Sequence, residues 1–291
     1  MITEPCVIYD MDEAVYHSDP VKGGSVSQSS VKMLLEPGGP ARFRYQQDHP
    51  REDRAAFSLG RAAHALVLGA GAPLHRLTHA DMRTKAAKEE RAEAEAEGFI
   101  VLRPDEHDQV IAMADAIGAH DGALNALDGE PEVSMFAPDG ETGVWMRGRA
   151  DVLGHGWIAD YKTAQSANPH EFARSAARYG YHLQAAWYIN LASTLLDWSG
   201  AAFRFVVQEK APPYLVNVVE LDADFLRIGH EQAREALLAY AFCLDTSYWP
   251  GYPDEATVVT PPRWLVASQE PTELDPELAA QLAELAQGDV T

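Results

Sequence analysis

Residues 143–164 constrain the fold more tightly than any other stretch of this 291-residue chain. Val144, Met146 and Gly148 alternate with Trp145, Arg147 and Arg149, which is the two-residue period of a strand. Gly154-His155-Gly156 is a turn signal, and residues 157–163 read as a second strand, so the stretch predicts a hairpin. Asp151 falls near the end of the first strand. Asp160 and Lys162 stand two apart on the second, so their side chains leave one face. Two carboxylates and a lysine converging at a sheet edge would offer oxygen ligands to a hard divalent cation beside a fixed positive charge. Taken alone, an Asp-x-Lys triplet on a strand is more often a solvated face, so the neighbouring elements have to decide.

Upstream, residues 27–30 (Ser-Gln-Ser-Ser) start a helix with serine at its N-cap, and Pro37-Gly38-Gly39-Pro40 stops it. Residues 55–69 form an apolar Ala- and Leu-rich helix that Gly69 is placed to cap. His64 lies inside it, with two readings: a satisfied core histidine, or an imidazole ligand for a divalent metal. Residues 81–97 predict an exposed charged helix, and 103–127 another helix. Residues 131–137 predict a strand that turns through Pro138-Asp139-Gly140 into the central hairpin. Glu132, at its start, is either an edge charge or a further carboxylate near the metal.

Downstream, Asn168-Pro169 opens a helix, and residues 181–196 form a second with apolar positions near 3.6 spacing. Gln184 and Tyr188 are four apart and share a face of it. They are either part of an ordinary amphipathic surface or hydrogen-bonding groups presented to a phosphate or a water. Two strands at 202–209 and 214–220 complete the sheet, and 222–244 is a long amphipathic helix. The aromatic and proline-rich pieces at 248–252 and 261–265 are expected to pack back on the core. The domain is expected over 1–267, with its core at about 55–245, followed by an acidic tail at 268–291.

Composition limits the function classes. Hydrophobic residues are 46% and charged residues 23% of the chain, as in soluble globular proteins. No run of 18 apolar residues and no basic segment followed by an apolar one predicts a membrane span or a secretory signal. Cys6 and Cys243 are the only cysteines, which opposes a disulfide framework and a four-cysteine zinc or iron–sulfur site, and suits a reducing cytoplasm. Against 23 Lys and Arg stand 44 Asp and Glu, a formal charge of −21. Such a balance opposes non-specific binding to nucleic acid. A nucleic-acid role therefore needs a local basic patch, an acidic site that binds cations first, or a closed channel.

The order of the motifs carries more than any one of them. Phe57-Ser58-Leu59-Gly60-Arg61-Ala62-Ala63-His64 is followed by Arg147-Gly148-Arg149-Ala150-Asp151, then by Trp157-Ile158-Ala159-Asp160-Tyr161-Lys162-Thr163, then by Tyr181-His182-Leu183-Gln184-Ala185-Ala186-Trp187-Tyr188. This resembles the PD-(D/E)XK nuclease superfamily, and within it the exonuclease domain of RecE (exodeoxyribonuclease VIII) and the related RecB/Cas4-type nucleases. The resemblance spans roughly residues 15–265. It implies an α/β (α+β) restriction-endonuclease-like core, a central mixed sheet flanked by helices in the order αβββαβ. It also implies Mg²⁺ or Mn²⁺ on His64, Asp151, Asp160 and the main-chain carbonyl of Tyr161, with Asp151, Asp160, Lys162, Gln184 and Tyr188 as catalytic residues. Arg147, Arg149, Arg174 and Arg178 become candidates for phosphate contacts. Asp160 stands where many members of the superfamily carry Glu, and the missing cysteines disfavour the Cas4 branch. The implied activity is metal-dependent 5′→3′ digestion of linear double-stranded DNA, leaving 3′ single strands for phage recombination. The implied partners are duplex DNA ends, a RecT-like annealing protein and further copies of the chain in a homo-oligomer. A Cas4-like single-strand or endonuclease activity, or a catalytically inactive DNA-binding or assembly protein, are the alternatives.

Overall fold

The computed structural model describes residues 1–49, 59–79, 83–198 and 200–267. The chain divides into two compact units, Met1–Gly251 and Tyr252–Thr291. The first begins with β1 (Cys6–Ile8), α1 (Glu13–His17), β2 (Val26–Ser27), α2 (Gln28–Leu34) and α3 (Gly39–Asp48). Then come α4 (Leu59–Leu68), β3 (Leu74–Arg76), α5 (Lys85–Ala96), β4 (Ile100–Leu102), α6 (Pro104–Gly118) and α7 (Asp121–Ala126). The central elements are β5 (Glu130–Pro138), β6 (Trp145–Leu153) and β7 (Trp157–Ala164), followed by α8 (Pro169–Tyr179) and α9 (Tyr181–Leu196). The strands β8 (Ala202–Glu209) and β9 (Val216–Glu220) and the long helix α10 (Ala223–Thr246) complete the unit. In the second unit the described residues contain α11 (Arg263–Ala267). The part of the expected helix at 55–58, residues 81 and 82 of the next, and the tail at 268–291 lie outside the described residues.

Seven strands make one mixed sheet in the order β1-β5-β6-β7-β8-β9, with β2 paired to β6. Only the β2–β6 and β7–β8 pairs within it are parallel. The expected α/β architecture is therefore present. Alternation along the strands sends two sets of side chains to opposite faces. Phe203, Phe205 and Val207 of β8 join Leu183, Trp187 and Leu191 of α9 and Leu237 of α10 in the main core. Val206 and Tyr161 face the other way, onto Ala63 of α4 and Met113 and Ile117 of α6.

Local chemistry sets the element ends. Ser27 caps α2, as the sequence predicts, and Asn168 and Asp222 cap α8 and α10 through their side-chain oxygens. The helix expected over 103–127 is instead two. It breaks after Gly118 because His120 adopts an extended backbone and its Nδ1 accepts the Ala123 amide at 3.0 Å, nucleating a new helix. Trp249 packs on the core, its ring stacked 5.9 Å from Phe43, and the expected piece at 261–265 falls in the second unit.

One feature of the sheet positions the site. Strand β5 pairs with β6 along nearly its whole length, and β7 pairs with β8 from Trp157 to Ala164. Yet β6 and β7 pair only at Val152↔Ala159 and Leu153↔Ile158, next to the Gly154 turn. Beyond that point the hairpin forks. The expected sheet-edge placement is thus corrected: β7 is an interior strand, and the opening is a gap between two neighbouring strands. Asp151 and Asp160 are the first residues past the fork.

Candidate active site

The two carboxylates reach the gap from opposite faces of the sheet. Asp151 turns toward α4, where its Oδ2 lies 3.0 Å from His64 Nε2. The same oxygen accepts the Tyr161 amide at 2.9 Å, replacing the ladder bond that the fork removes. Asp160 turns toward α9, where its Oδ1 accepts the Gln184 amide nitrogen at 2.5 Å, and its Oδ2 lies 2.5 Å from Lys162 Nζ. His64 is bracketed, since its Nδ1 is 3.7 Å from Glu132 Oε1. Glu132 is in turn held by Arg149 Nε at 2.5 Å.

Charge and burial pull these groups in different directions. Burial pushes the Asp160 carboxyl up to about 6, with the Lys162 ammonium opposing the rise and the Asp151 charge adding to it. For Asp151 burial also favours the neutral acid, but the His64 hydrogen bond and charge and the Lys162 charge prevail and hold it below the ordinary carboxylate range. Burial opposes the imidazolium of His64, and the Asp151 hydrogen bond with the Asp151, Glu132 and Asp160 charges overcomes it, so its pKa is raised. Lys162 follows the same pattern: desolvation works against its charge and Asp160 and Asp151 outweigh it, raising its pKa. The lysine thus stays protonated inside an acidic pocket.

The other expected residues fall into two groups. Tyr188 lies at the site, but its hydroxyl donates to the Arg149 carbonyl at 2.8 Å and accepts the Arg149 amide at 3.2 Å, so it ties α9 to β6. Arg147 and Arg149 line the cavity wall. Arg147 is 2.6 Å from Asp19 and donates to Ser25 Oγ at 2.9 Å, and Arg149 donates to the Met11 carbonyl at 2.7 Å. Both guanidinium groups lie within 6 Å of the Tyr16 ring. Arg174 and Arg178 lie apart from this cluster on α8; Arg174 pairs with Glu171 at 2.7 Å and is 79% exposed. The sequence offered no signal for Asp19, Ser25 and Tyr16 as partners of the two arginines. These contacts close over more than a hundred residues of chain. A cavity of about 740 Å³ opens over His64, Asp151 and Glu132 and extends to Tyr16 and to Ser27–Ser30 at the start of α2.

Among the described residues no three His, Cys, Asp or Glu side chains stand spaced as a ready-made metal cage. Instead His64 Nε2 hydrogen-bonds Asp151, and Lys162 pairs with Asp160. The chemistry of the donor set nonetheless suits a hard divalent cation, with two ionisable carboxylates, an imidazole and a main-chain carbonyl at one gap. Glu132 adds an unusual backbone, with φ of +53° in a residue other than glycine. Backbone conformations of this kind cluster at functional sites.

No curated protein matches the chain. A crystal structure of a "Putative exonuclease" from Eubacterium rectale is similar over 90% of this chain and 99% of that one, at 14% identity and a TM-score of 0.57, a likeness of fold. A second structure, SSO0001, is 13% identical over 72% of this chain and 85% of that one, with a TM-score of 0.28. Residues 27–261, which hold the whole fork and its flanking helices, match the PDDEXK-like domain of unknown function (DUF3799), and the chain belongs to that family.

Proposed function

We propose that the chain is a metal-dependent DNA exonuclease of the RecE-like kind. It digests linear duplex DNA 5′→3′ and leaves 3′ single strands for phage-type recombination in the bacterial cytoplasm. Its partners in this reading are duplex DNA ends, a RecT-like annealing protein and further copies of itself. The observation that carries the proposal is the fork between β6 and β7, where His64, Asp151, Asp160 and Lys162 converge. The name of the Eubacterium rectale protein points the same way.

In this reading His64, Asp151, Asp160 and the Tyr161 carbonyl would hold Mg²⁺ or Mn²⁺. Such an ion offsets phosphate charge and lowers the pKa of a water. Lys162 keeps its proton and places a fixed positive charge beside Asp160, where charge develops on a phosphate oxygen. Gln184 fixes the Asp160 carboxylate by its hydrogen bond and so acts through it. Glu132 faces His64 Nδ1 and sets the ring for Nε2 to act as the ligand.

The test is digestion of linear duplex labelled at either the 5′ or the 3′ end, with Mg²⁺, Mn²⁺ or EDTA, and with covalently closed circles alongside. Loss of the 5′ label from linear DNA alone is expected, stopped by EDTA. Asp160→Asn and Lys162→Ala are each expected to lower the rate at least 100-fold, in line with the loss of one charge-stabilising group. Nicked circles would replace the exonuclease by an endonuclease. No cleavage of any substrate with either metal would leave a binding protein.

A further inference from the structure

Beyond Lys162 the site opens into a second cleft of about 580 Å³, which shares no lining residue with the cavity over Asp151. Its walls come from the end of β7, from α8 and the start of α9, and from Lys210 after β8. Three of its side chains are cations: Lys162, Arg178 and Lys210. Its one carboxylate, Glu171, is already paired with Arg174 at 2.7 Å.

In a chain of charge −21 this cleft brings two cations without a carboxylate partner to one place beside Lys162. Elsewhere Arg44, Arg76, Arg103, Arg204, Arg227 and Arg234 are each matched to an Asp or Glu. Neither Arg178 nor Lys210 has a carboxylate partner among the described residues. The loop that presents Lys210 is fixed, since its amide donates to the Ala164 carbonyl at 3.1 Å and its carbonyl accepts from Gln109 at 2.7 Å.

The cleft also carries aromatic faces. Tyr179 is 48% exposed and its ring lies 5.8 Å from that of Tyr181. Arg178 sits 5.6 Å above the Tyr179 ring and Lys162 sits 5.2 Å above the Tyr181 ring. Lys32 of α2 donates to the Tyr179 carbonyl at 2.9 Å and holds that corner in place. Cations that can track a phosphate backbone, interleaved with rings on which bases can stack, are what single-stranded nucleic acid needs. A cleft of this volume takes a drug-sized ligand such as a nucleotide, and not a duplex.

We infer that this cleft is a single-strand subsite: it holds one DNA strand next to the scissile phosphate, with a base against Tyr179 and a phosphate between Arg178 and Lys210. The inference rests on the nuclease reading and names where one strand runs once it is separated from its partner. It also explains how so acidic a chain can engage DNA, through two unmatched cations, Arg178 and Lys210, in a cleft that Lys162 joins to the fork.

The test is fluorescence anisotropy with a labelled oligothymidylate, in EDTA so that nothing is cut, on the full chain and on Arg178→Ala/Lys210→Ala, Tyr179→Ala, Tyr179→Phe and Lys88→Ala. Circular dichroism melts check that each variant folds. The double variant is expected to bind at least tenfold more weakly and to lower the slope of log affinity on log salt by roughly 1 to 2, one phosphate contact per lost cation. Tyr179→Ala is expected to lose roughly fivefold or more with the slope unchanged, as a lost stacking contact does, and Tyr179→Phe to restore it. Lys88→Ala, on the exposed face of α5, should bind as the wild type. If the double variant keeps both affinity and slope, the subsite is wrong while duplex digestion by the wild type still upholds the nuclease. If the wild type binds the strand through these residues but cuts no substrate, the subsite stands and the nuclease reading falls. A wild type that binds no single strand overturns the subsite, whatever it does to duplex DNA.

Discussion

Asp160 is a carboxylate kept where a carboxylate is costly. Burial pushes it up to about 6, so between the ordinary value near 4 and that point the folded chain holds a proton that the unfolded chain has released. The folded state therefore gains least from Asp160 at neutral pH, where the group is ionised. A raised His64 pKa adds a second proton in the same place. In the proposed reading both must leave before a cation can be ligated, so affinity for Mg²⁺ or Mn²⁺ should rise with pH. The expected result in isothermal titration is a fall of about tenfold per pH unit below 6 for each competing proton, with proton release on binding. Affinity that is flat from pH 5 to 8 would remove these two groups from the ligand set. Glu132 belongs to the same network at one remove, since Arg149 already offsets its charge and it faces the far nitrogen of His64. Glu132→Gln should therefore weaken cation binding by about 10- to 100-fold, as orienting partners of metal ligands do, without abolishing it. A complete loss would make Glu132 a ligand in its own right.

At the scale of elements, the site depends on how closely α9 approaches β6. Gly148 allows that approach. A Cβ there would stand 2.8 Å from Leu191 Cδ1 and 3.0 Å from Tyr188 Cε1, and Leu191 is fully buried. Gly148→Ala should force α9 outward, carrying Gln184 away from Asp160, at a cost of about 1–3 kcal/mol by overpacking. Chemical denaturation would read the stability, and the rate of DNA digestion should fall with it; an unchanged stability would mean that the helix can shift freely. Much of this arrangement can be read from the chain. The two-residue alternation in 143–164, the 3.6 spacing of α9 and the helix around His64 place four motifs on the right elements in the right order. What the chain conceals is non-local. The fork depends on β6 leaving one edge of β7 beyond Ala159 while β8 stays paired along the other edge, an arrangement set by distant parts of the chain with no periodic signal. The two-residue strand β2 is too short for any pattern, and Glu132 reaches φ of +53° with no glycine to announce it. Tyr188 looks like a free hydrogen-bonding group on a helix face until the backbone of Arg149 is seen to occupy it.

For the whole molecule the charge of −21 is the governing fact, because DNA approaching from a distance meets a field of its own sign. Close to the surface, Arg178 and Lys210 in the cleft beside the fork add positive charge that no carboxylate matches among the described residues. These two terms respond differently to salt. The long-range repulsion is screened once the Debye length falls to about 10 Å near 0.1 M, while contacts between a cation and a phosphate weaken steadily as counterions compete. The association rate with DNA should therefore pass through a maximum as monovalent salt is raised from about 10 mM, at an ionic strength near 0.1 M where the repulsion has faded and the local contacts survive. Divalent cations should reach the same maximum at lower concentration, because they screen more strongly and, in the proposed reading, also bind at the acidic fork. Stopped-flow anisotropy with a labelled duplex, in Ca²⁺ or EDTA to prevent turnover, reads this directly. A rate that falls monotonically with salt would mean that the acidic surface lies outside the path of approach and that the positive cleft alone steers DNA to the site.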